Sequence, residues 1–274
     1  MKRKLLLATL TASMALTQGF ALERAPWYGN DNEFEVRTSY EFQTYDKLDT
    51  SSGSSDQKSD DQYLNLSLGL ATMGEYHGEV EMTLADTEVQ SFGLESLTIG
   101  GRTLFLNDLV GDPVSVSSGG SLTLVPSSSA IRDPGNFHHS YAEAEVHVAA
   151  GKETSSGWSW DSRLWGFASL GAGNSGSPWL QGYGAYERNF DDTHYLRAFA
   201  DGRYGFGGRK LESSSSFNGY RSLAYQTIDA GVKYSYSLGV WGRANAEYSY
   251  RVLSQYAPEK VNRLELGFFF PFAL

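Results

Sequence analysis

Apolar and polar side chains alternate with a period of two along most of the chain. The clearest apolar rows run from Phe34 to Phe42, from Leu64 to Leu70 and from Val80 to Leu84. Polar residues and glycine occupy most of the positions between them. Because successive side chains of a strand point to opposite faces, this pattern predicts strands with one apolar and one polar face. No segment predicts a long helix, so the expected fold class is all-β.

The alternation recurs in about 12 segments, and counts of 10 or 14 remain as alternatives. The predicted strands lie at 33–43, 63–70, 75–84, 94–108, 113–125, 140–150, 157–170, 179–190, 193–206, 223–237, 239–252 and 260–274. Apolar residues in 94–108 change parity, which indicates a bulge. Short turns alternate with longer loops at 46–61, 86–93, 126–139, 171–178, 207–222 and 253–259. This alternation is typical of membrane barrels, in which short turns connect the strands at one end and longer loops connect them at the other.

The length of the strands favours a membrane barrel over a soluble sandwich. The segments span about 10–14 residues, whereas soluble strands average about 5–6 and a tilted membrane strand needs about 9–11. Aromatic residues also gather at the predicted strand ends, as in interfacial girdles. One group comprises Trp158, Trp160, Tyr234, Tyr236, Phe270 and Phe272, and the other comprises Tyr40, Phe42, Phe206, Tyr248 and Tyr250. We therefore predict a transmembrane antiparallel up-and-down β-barrel, closed because hydrocarbon does not tolerate an open sheet edge.

The first 21 residues have the pattern of a secretory signal peptide. Lys2, Arg3 and Lys4 precede a short apolar stretch that ends at Gly19-Phe20-Ala21. The predicted domains are therefore a signal peptide at 1–21 and one barrel at 22–274. Loss of the three cations changes the net charge from −10 to −13, which argues against nucleic acid as a partner.

The amino-acid composition excludes several kinds of chemistry. The 274 residues include no cysteine, which excludes disulfides, thiolate metal sites and a cysteine nucleophile. An aromatic content of 14% argues against disorder. His77 and His147 share the predicted lumen with acidic residues, but no metal-ligand spacing stands out. We expect no cofactor and no metal.

The last strand carries the most specific signal. Leu264, Leu266, Phe268, Phe270, Phe272 and Leu274 alternate to the final residue. This row resembles the C-terminal targeting strand of Gram-negative outer-membrane β-barrel proteins, although the row ends in leucine rather than phenylalanine. The resemblance implies that Phe268, Phe270, Phe272 and Leu274 act in targeting. It also implies an outer-membrane location, with the barrel-insertion machinery, lipid and lipopolysaccharide as partners.

Strand parity predicts which side chains line the lumen. The candidate pore-lining residues are Glu35, Arg37, Glu79, Glu81, Glu143, Glu145, Arg163, Arg197, Arg203, Lys233, Arg243, Glu247 and Arg263. The first half of the chain supplies mostly acids, and the second half is basic or mixed. A water-filled lumen with such walls favours small polar solutes, so the favoured function is a narrow porin or passive channel. If the walls touch, the same charges form a plug, and this alternative stays open.

Two other functions remain as alternatives. His138-His139-Ser140 is similar to the His-x-Ser pair of outer-membrane phospholipase A and the lipid A deacylases, with His138 and Ser140 expected to share a lipid-facing side. Tyr141-Ala142 replaces the Asn-Gly of the phospholipase, and Asn174 is the candidate third residue. This hydrolase hypothesis is not favoured over the channel. The second alternative is a barrel whose surface loops bind a partner or mediate adhesion. The oligomeric state is left open.

Overall fold

Twelve long strands form the protein. The computed structural model describes residues 24–156 and 159–273. The strands are β1 (Glu33–Thr50), β2 (Gly53–Thr72), β3 (Tyr76–Asp86), β4 (Gly93–Leu106), β5 (Ser115–Leu124), β6 (Ala142–Ser156), β7 (Ser159–Gly173), β8 (Trp179–Asn189), β9 (His194–Gly205), β10 (Gln226–Ser237), β11 (Arg243–Gln255), the two-residue β12 (Pro258–Glu259) and β13 (Asn262–Ala273). One α-helical turn, α1 (Ser128–Ile131), lies between β5 and β6.

The long strands close into an antiparallel barrel. Each pairs with its neighbours in sequence, and β1 also pairs with β13 from Glu33 opposite Ala273 to Thr44 opposite Asn262. Closure gives every long strand a partner on both sides, so its backbone N–H and C=O groups form hydrogen bonds where no water is present. The predicted all-β barrel of twelve strands is confirmed.

Apolar side chains cover the outside of the barrel. On β6, Val146 and Val148 are exposed while His147 between them is buried. On β13, Leu264 and Leu266 are exposed, whereas Glu265 is only 1% exposed. This distribution is the reverse of that in a soluble protein, as a lipid-facing surface requires. In the part of the chain that the structure describes, no helix is long and apolar enough to cross a bilayer.

The first predicted loop is wrong. Residues 46–61 were expected to form a loop, but β1 continues to Thr50 and β2 begins at Gly53, so the turn is residues 51–52. Lys47 lies opposite Asp56, and the Thr44 hydroxyl donates to Asp60 at 2.8 Å. On its other side, β1 pairs with β12. A polar, serine-rich stretch has the composition of a loop, yet these pairings make it a hairpin.

Other local predictions have mixed outcomes. The bulge expected in 94–108 is confirmed. The pairing with β3 passes from Ser96 to Leu94 and skips Glu95, and the pairing with β5 passes from Leu104 to Leu106 and skips Phe105. Trp160 was assigned to an aromatic girdle at the strand ends, but it stacks on the buried Tyr195 at 5.4 Å. A register shift opposite Trp160 changes its parity. The signal peptide, Trp158 and Leu274 lie outside the described residues, so those predictions stay as they are.

Candidate functional site

Two cavities lined by described residues lie along the lumen. The one near the long loops has a volume of about 210 Å³, and we name it the loop-side chamber. The one near the short turns has a volume of about 360 Å³, and we name it the turn-side chamber. Eleven of the thirteen candidate pore-lining side chains line one chamber or the other. The remaining two, Glu79 and Glu247, are buried on the same inward-facing parity.

A peptide segment that precedes β1 lies between the chambers. Residues 24–30, which we name the lumen segment, place Arg24 in the wall of the loop-side chamber and Trp27 in the wall of the turn-side chamber. Arg24 forms an ion pair with Glu145 and donates to Gln181 at 3.2 Å. The Trp27 indole donates to Asp108 at 2.9 Å. These contacts fix the segment across the lumen. No sequence pattern predicts them, because the segment has no periodicity.

The loop at residues 125–141, which we name the inward loop, enters the opposite mouth of the barrel. Phe137 stacks on Tyr220 at 4.7 Å and contacts the guanidinium groups of Arg203 at 4.6 Å and Arg251 at 5.0 Å. The Tyr220 hydroxyl donates to the carbonyl of Pro134 at 2.7 Å. The loop at 206–225 therefore packs on the inward loop, and together they cover the loop-side chamber.

His138 is held by two carboxylates. Its Nε2 atom is 2.5 Å from Glu95, and its Nδ1 atom is 3.4 Å from Glu143. Burial lowers the pKa of His138, but the charges of Glu95 and Glu143 outweigh burial and hold the pKa well above its ordinary value. A protonated His138 thus bridges β4 and β6 at the base of the inward loop.

The predicted lipid-facing pair of His138 and Ser140 is wrong. Ser140 is 2% exposed, and its hydroxyl donates to the carbonyl of Ala142 at 2.8 Å. Both ring nitrogens of His138 face carboxylates, so neither is directed at Ser140 as a base would be. Asn174 is exposed, and its backbone N–H donates to the carbonyl of Ala142. The parity of β6 does not extend into residues 138–140, because the strand begins at Ala142.

One ion pair crosses the expected boundary between the acidic and the basic wall, since Arg263 on β13 pairs with Glu41 on β1 at 2.8 Å. Another lies within the acidic half, where Arg37 on β1 pairs with Glu79 on β3 at 3.3 Å. The lining of the loop-side chamber includes three arginines and five glutamates, whereas that of the turn-side chamber includes six cations and three glutamates. Charge therefore also varies along the axis of the barrel, which strand parity does not show.

The two lumen histidines have different surroundings. His77 is buried on β3, with its Nε2 atom 3.5 Å from Glu35 and its ring 5.8 Å from that of Tyr28. His147 is buried on β6, one inward position from Glu145. Among the described residues, no group of three or more His, Cys, Asp or Glu side chains has the arrangement to hold a metal ion.

Comparison with known proteins shows the fold. A scan against protein-family models found no match, and a search of the curated proteins found none either. The barrel is similar to the COG4313 outer membrane channel from Pseudomonas putida F1, with a TM-score of 0.65 and 13% identity over 92% of this chain and 100% of that one. It is also similar to the KdgM porin in complex with disordered oligogalacturonate, with a TM-score of 0.56 and 11% identity over 87% of this chain and 99% of that one. For the NanC porin the TM-score is 0.56 and the identity 8%, over 88% of this chain and 100% of that one. The chain has the architecture of an outer-membrane β-barrel of the size of small channels and porins.

Proposed function

We propose that the protein is a narrow passive channel for small polar solutes in the outer membrane. The observation that supports this proposal is a pair of polar chambers in series inside a closed barrel. Charged side chains line both chambers, and residues of the lumen segment contribute to the wall of each. A lumen filled only by interlocking side chains, as in barrels of about 8 strands, would leave no such volume.

The lumen segment is the constriction of this channel. It is held mainly by Arg24 with Glu145, by Trp27 with Asp108, and by Arg102, which donates to the carbonyl of Ala25. None of these contacts belongs to the barrel ladder, so the segment can be displaced while the strand pairing persists. The similarity to the KdgM porin, whose structure holds oligogalacturonate, supports a solute pathway in a barrel of this size.

Deletion of residues 24–30 is expected to raise the single-channel conductance in planar bilayers at least twofold, because it joins the chambers. Arg24→Ala is expected to give a smaller increase, since only the pair with Glu145 and the bond to Gln181 are lost. Arg188→Ala is the matched control, because this arginine is exposed on the outside of β8.

Two outcomes would contradict the proposal in different ways. If the deletion variant inserts as a folded barrel but conducts as the wild type does, the lumen segment is not the constriction. If neither protein conducts, and liposomes that contain them do not swell in small sugars, the channel proposal fails. Heat-modifiable migration in gels verifies insertion in each case.

A further inference from the structure

A cluster of cationic side chains lines the turn-side chamber, and ion pairs with carboxylates do not account for every member of it. Arg197 on β9 and Lys233 on β10 lie directly opposite each other in register. Like charges at such positions destabilise a sheet. The Arg197 guanidinium pairs with Glu187 at 3.2 Å, and Lys233 lies opposite Glu247 on β11. Both cations line the chamber nevertheless.

Arg243 lines the same chamber and has a different kind of partner. Its guanidinium lies 4.4 Å from the centre of the Tyr195 ring. Among the described residues, no carboxylate forms an ion pair with Arg243, although the chain has 32 acidic residues against 22 basic ones. A guanidinium above an aromatic ring keeps its N–H donors in its own plane, where they can contact a carboxylate in a bidentate manner.

Aromatic rings complete the chamber wall. Trp27 and Trp165 line it, and the guanidinium of Arg197 lies 5.4 Å from the ring of Trp165. Phe269 lies opposite Arg243 in register and is also 5.5 Å from the guanidinium of Arg37. The volume of about 360 Å³ lies in the range of small-molecule sites. The wall therefore offers cationic donors beside flat apolar surfaces.

We infer that the turn-side chamber binds small organic carboxylates, with Arg243 as the principal contact and Arg197 and Lys233 beside it. This inference rests on the proposed channel function and names the class of solute that the channel selects. The carboxylate takes the place of the ion-pair partner that Arg243 lacks. Arg197, which pairs with Glu187, and Lys233, which lies opposite Glu247, add positive charge beside it.

Fluorescence titration of the detergent-solubilised protein tests the site without requiring conduction. Glucuronate is the probe, and glucose, which lacks the carboxylate, is the neutral control ligand. At low ionic strength, where screening is weak, we expect a saturable change in tryptophan emission with glucuronate and none with glucose. Arg243→Gln is expected to weaken glucuronate binding at least tenfold, the effect of losing a charge-assisted bidentate contact.

Two further variants keep this test decisive. Arg221→Gln removes the same charge from an exposed loop position and is expected to bind as the wild type does. Arg243→Lys keeps the positive charge but loses the planar, bidentate set of N–H donors. We expect it to bind glucuronate with an affinity between those of the wild type and Arg243→Gln. Equal affinity of wild type and Arg243→Gln, or equal responses to glucose and glucuronate, would overturn the inference.

Bilayer recordings separate this inference from the channel proposal. A protein that conducts, and whose current glucuronate reduces in the wild type but not in Arg243→Gln, supports both. Conduction that glucuronate does not affect overturns the carboxylate site and leaves the channel. Saturable glucuronate binding without any conduction overturns the channel instead.

Discussion

Asp133 is a buried acid in the inward loop, and we expect its protonation state to influence how firmly that loop is held. Burial, and then the charge of the nearby Asp61, raises the pKa of Asp133 from 3.8 to about 7. The backbone N–H of Gly135 donates to its carboxyl at 2.8 Å. A neutral Asp133 is therefore compatible with the inserted loop, whereas an ionised one carries an uncompensated charge.

The difference between the folded and the ordinary pKa of Asp133 determines how the stability of the inward loop changes with pH. The stability that a group with a raised pKa contributes is fully present below its ordinary pKa and is lost as pH rises through its folded value. We expect the inward loop to be loosened progressively between about pH 4 and 7 by ionisation of Asp133. Asp133→Asn removes this effect while preserving an acceptor for Gly135.

An introduced cysteine can report the loosening of the inward loop, because the chain has no cysteine of its own. Ile131→Cys places a thiol at a buried position of the inward loop, and its labelling rate reports loop opening. The ratio of the rate with Asp133 to the rate with Asp133→Asn should be near one at pH 4. It should rise by up to about tenfold per pH unit toward pH 7 and then level off. Asp86→Asn, which removes an exposed carboxylate, is the control. The ratio of the labelling rate with Asp86 to the rate with Asp86→Asn should not change with pH.

Single residues also show where sequence reasoning ends. Strand parity depends only on the local backbone, and Glu143 and Glu145, which it assigns to the inner face, line the loop-side chamber. It did not reveal that His138 lies between Glu95 and Glu143, or that Arg24 meets Glu145. Those pairs join parts of the chain that are far apart in sequence, and the alternation pattern contains no information about such contacts.

At the scale of elements, glycines allow some strands to approach closely. A Cβ atom at Gly119 on β5 would lie far inside van der Waals distance of the Gly101 carbonyl oxygen on β4. It would also lie 2.8 Å from Cα of Arg102. Because these are backbone atoms, they cannot move aside as a flexible side chain would. By contrast, a Cβ atom at Gly182 on β8 has no neighbour within 4 Å.

The two glycines therefore predict opposite effects of the same substitution. Gly119→Ala should lower the free energy of unfolding by about 1–3 kcal/mol through overpacking. Gly182→Ala should change it by about zero, or raise it by up to about 1 kcal/mol, because alanine restricts the unfolded chain. Chemical denaturation of the refolded barrel in lipid compares them. Equal losses in both variants would contradict the close approach of β4 and β5 at Gly119.

Elements differ in how far the sequence predicts them. The strands in the membrane were predictable, because lipid outside and polar groups inside impose a strict alternation. The first hairpin was not, because both of its faces meet water or other loops and its polar residues have the composition of a turn. The inward loop and the lumen segment have no regular pattern either. Their positions depend on tertiary contacts such as Phe137 with Tyr220 and Trp27 with Asp108.

For the whole molecule, the outward-facing apolar surface determines stability in the membrane. Val232 is exposed on β10, midway between Ile228 and Tyr236, which are also exposed on the same outer face. An arginine there would have to leave its charge in hydrocarbon or bend toward an interface. We expect Val232→Arg to lower the free energy of unfolding by about 2–4 kcal/mol, as at the midplane of other barrels.

The matched control is Val240→Arg. Val240 is 84% exposed in the short turn between β10 and β11, where water surrounds it, so the same substitution should cost little. Guanidinium titration of both variants in phospholipid vesicles measures the difference. If both positions faced water, arginine would be tolerated equally at each. Equal stabilities would therefore contradict the lipid-facing assignment of the apolar rows, and with it the assignment of the charged rows to a lumen.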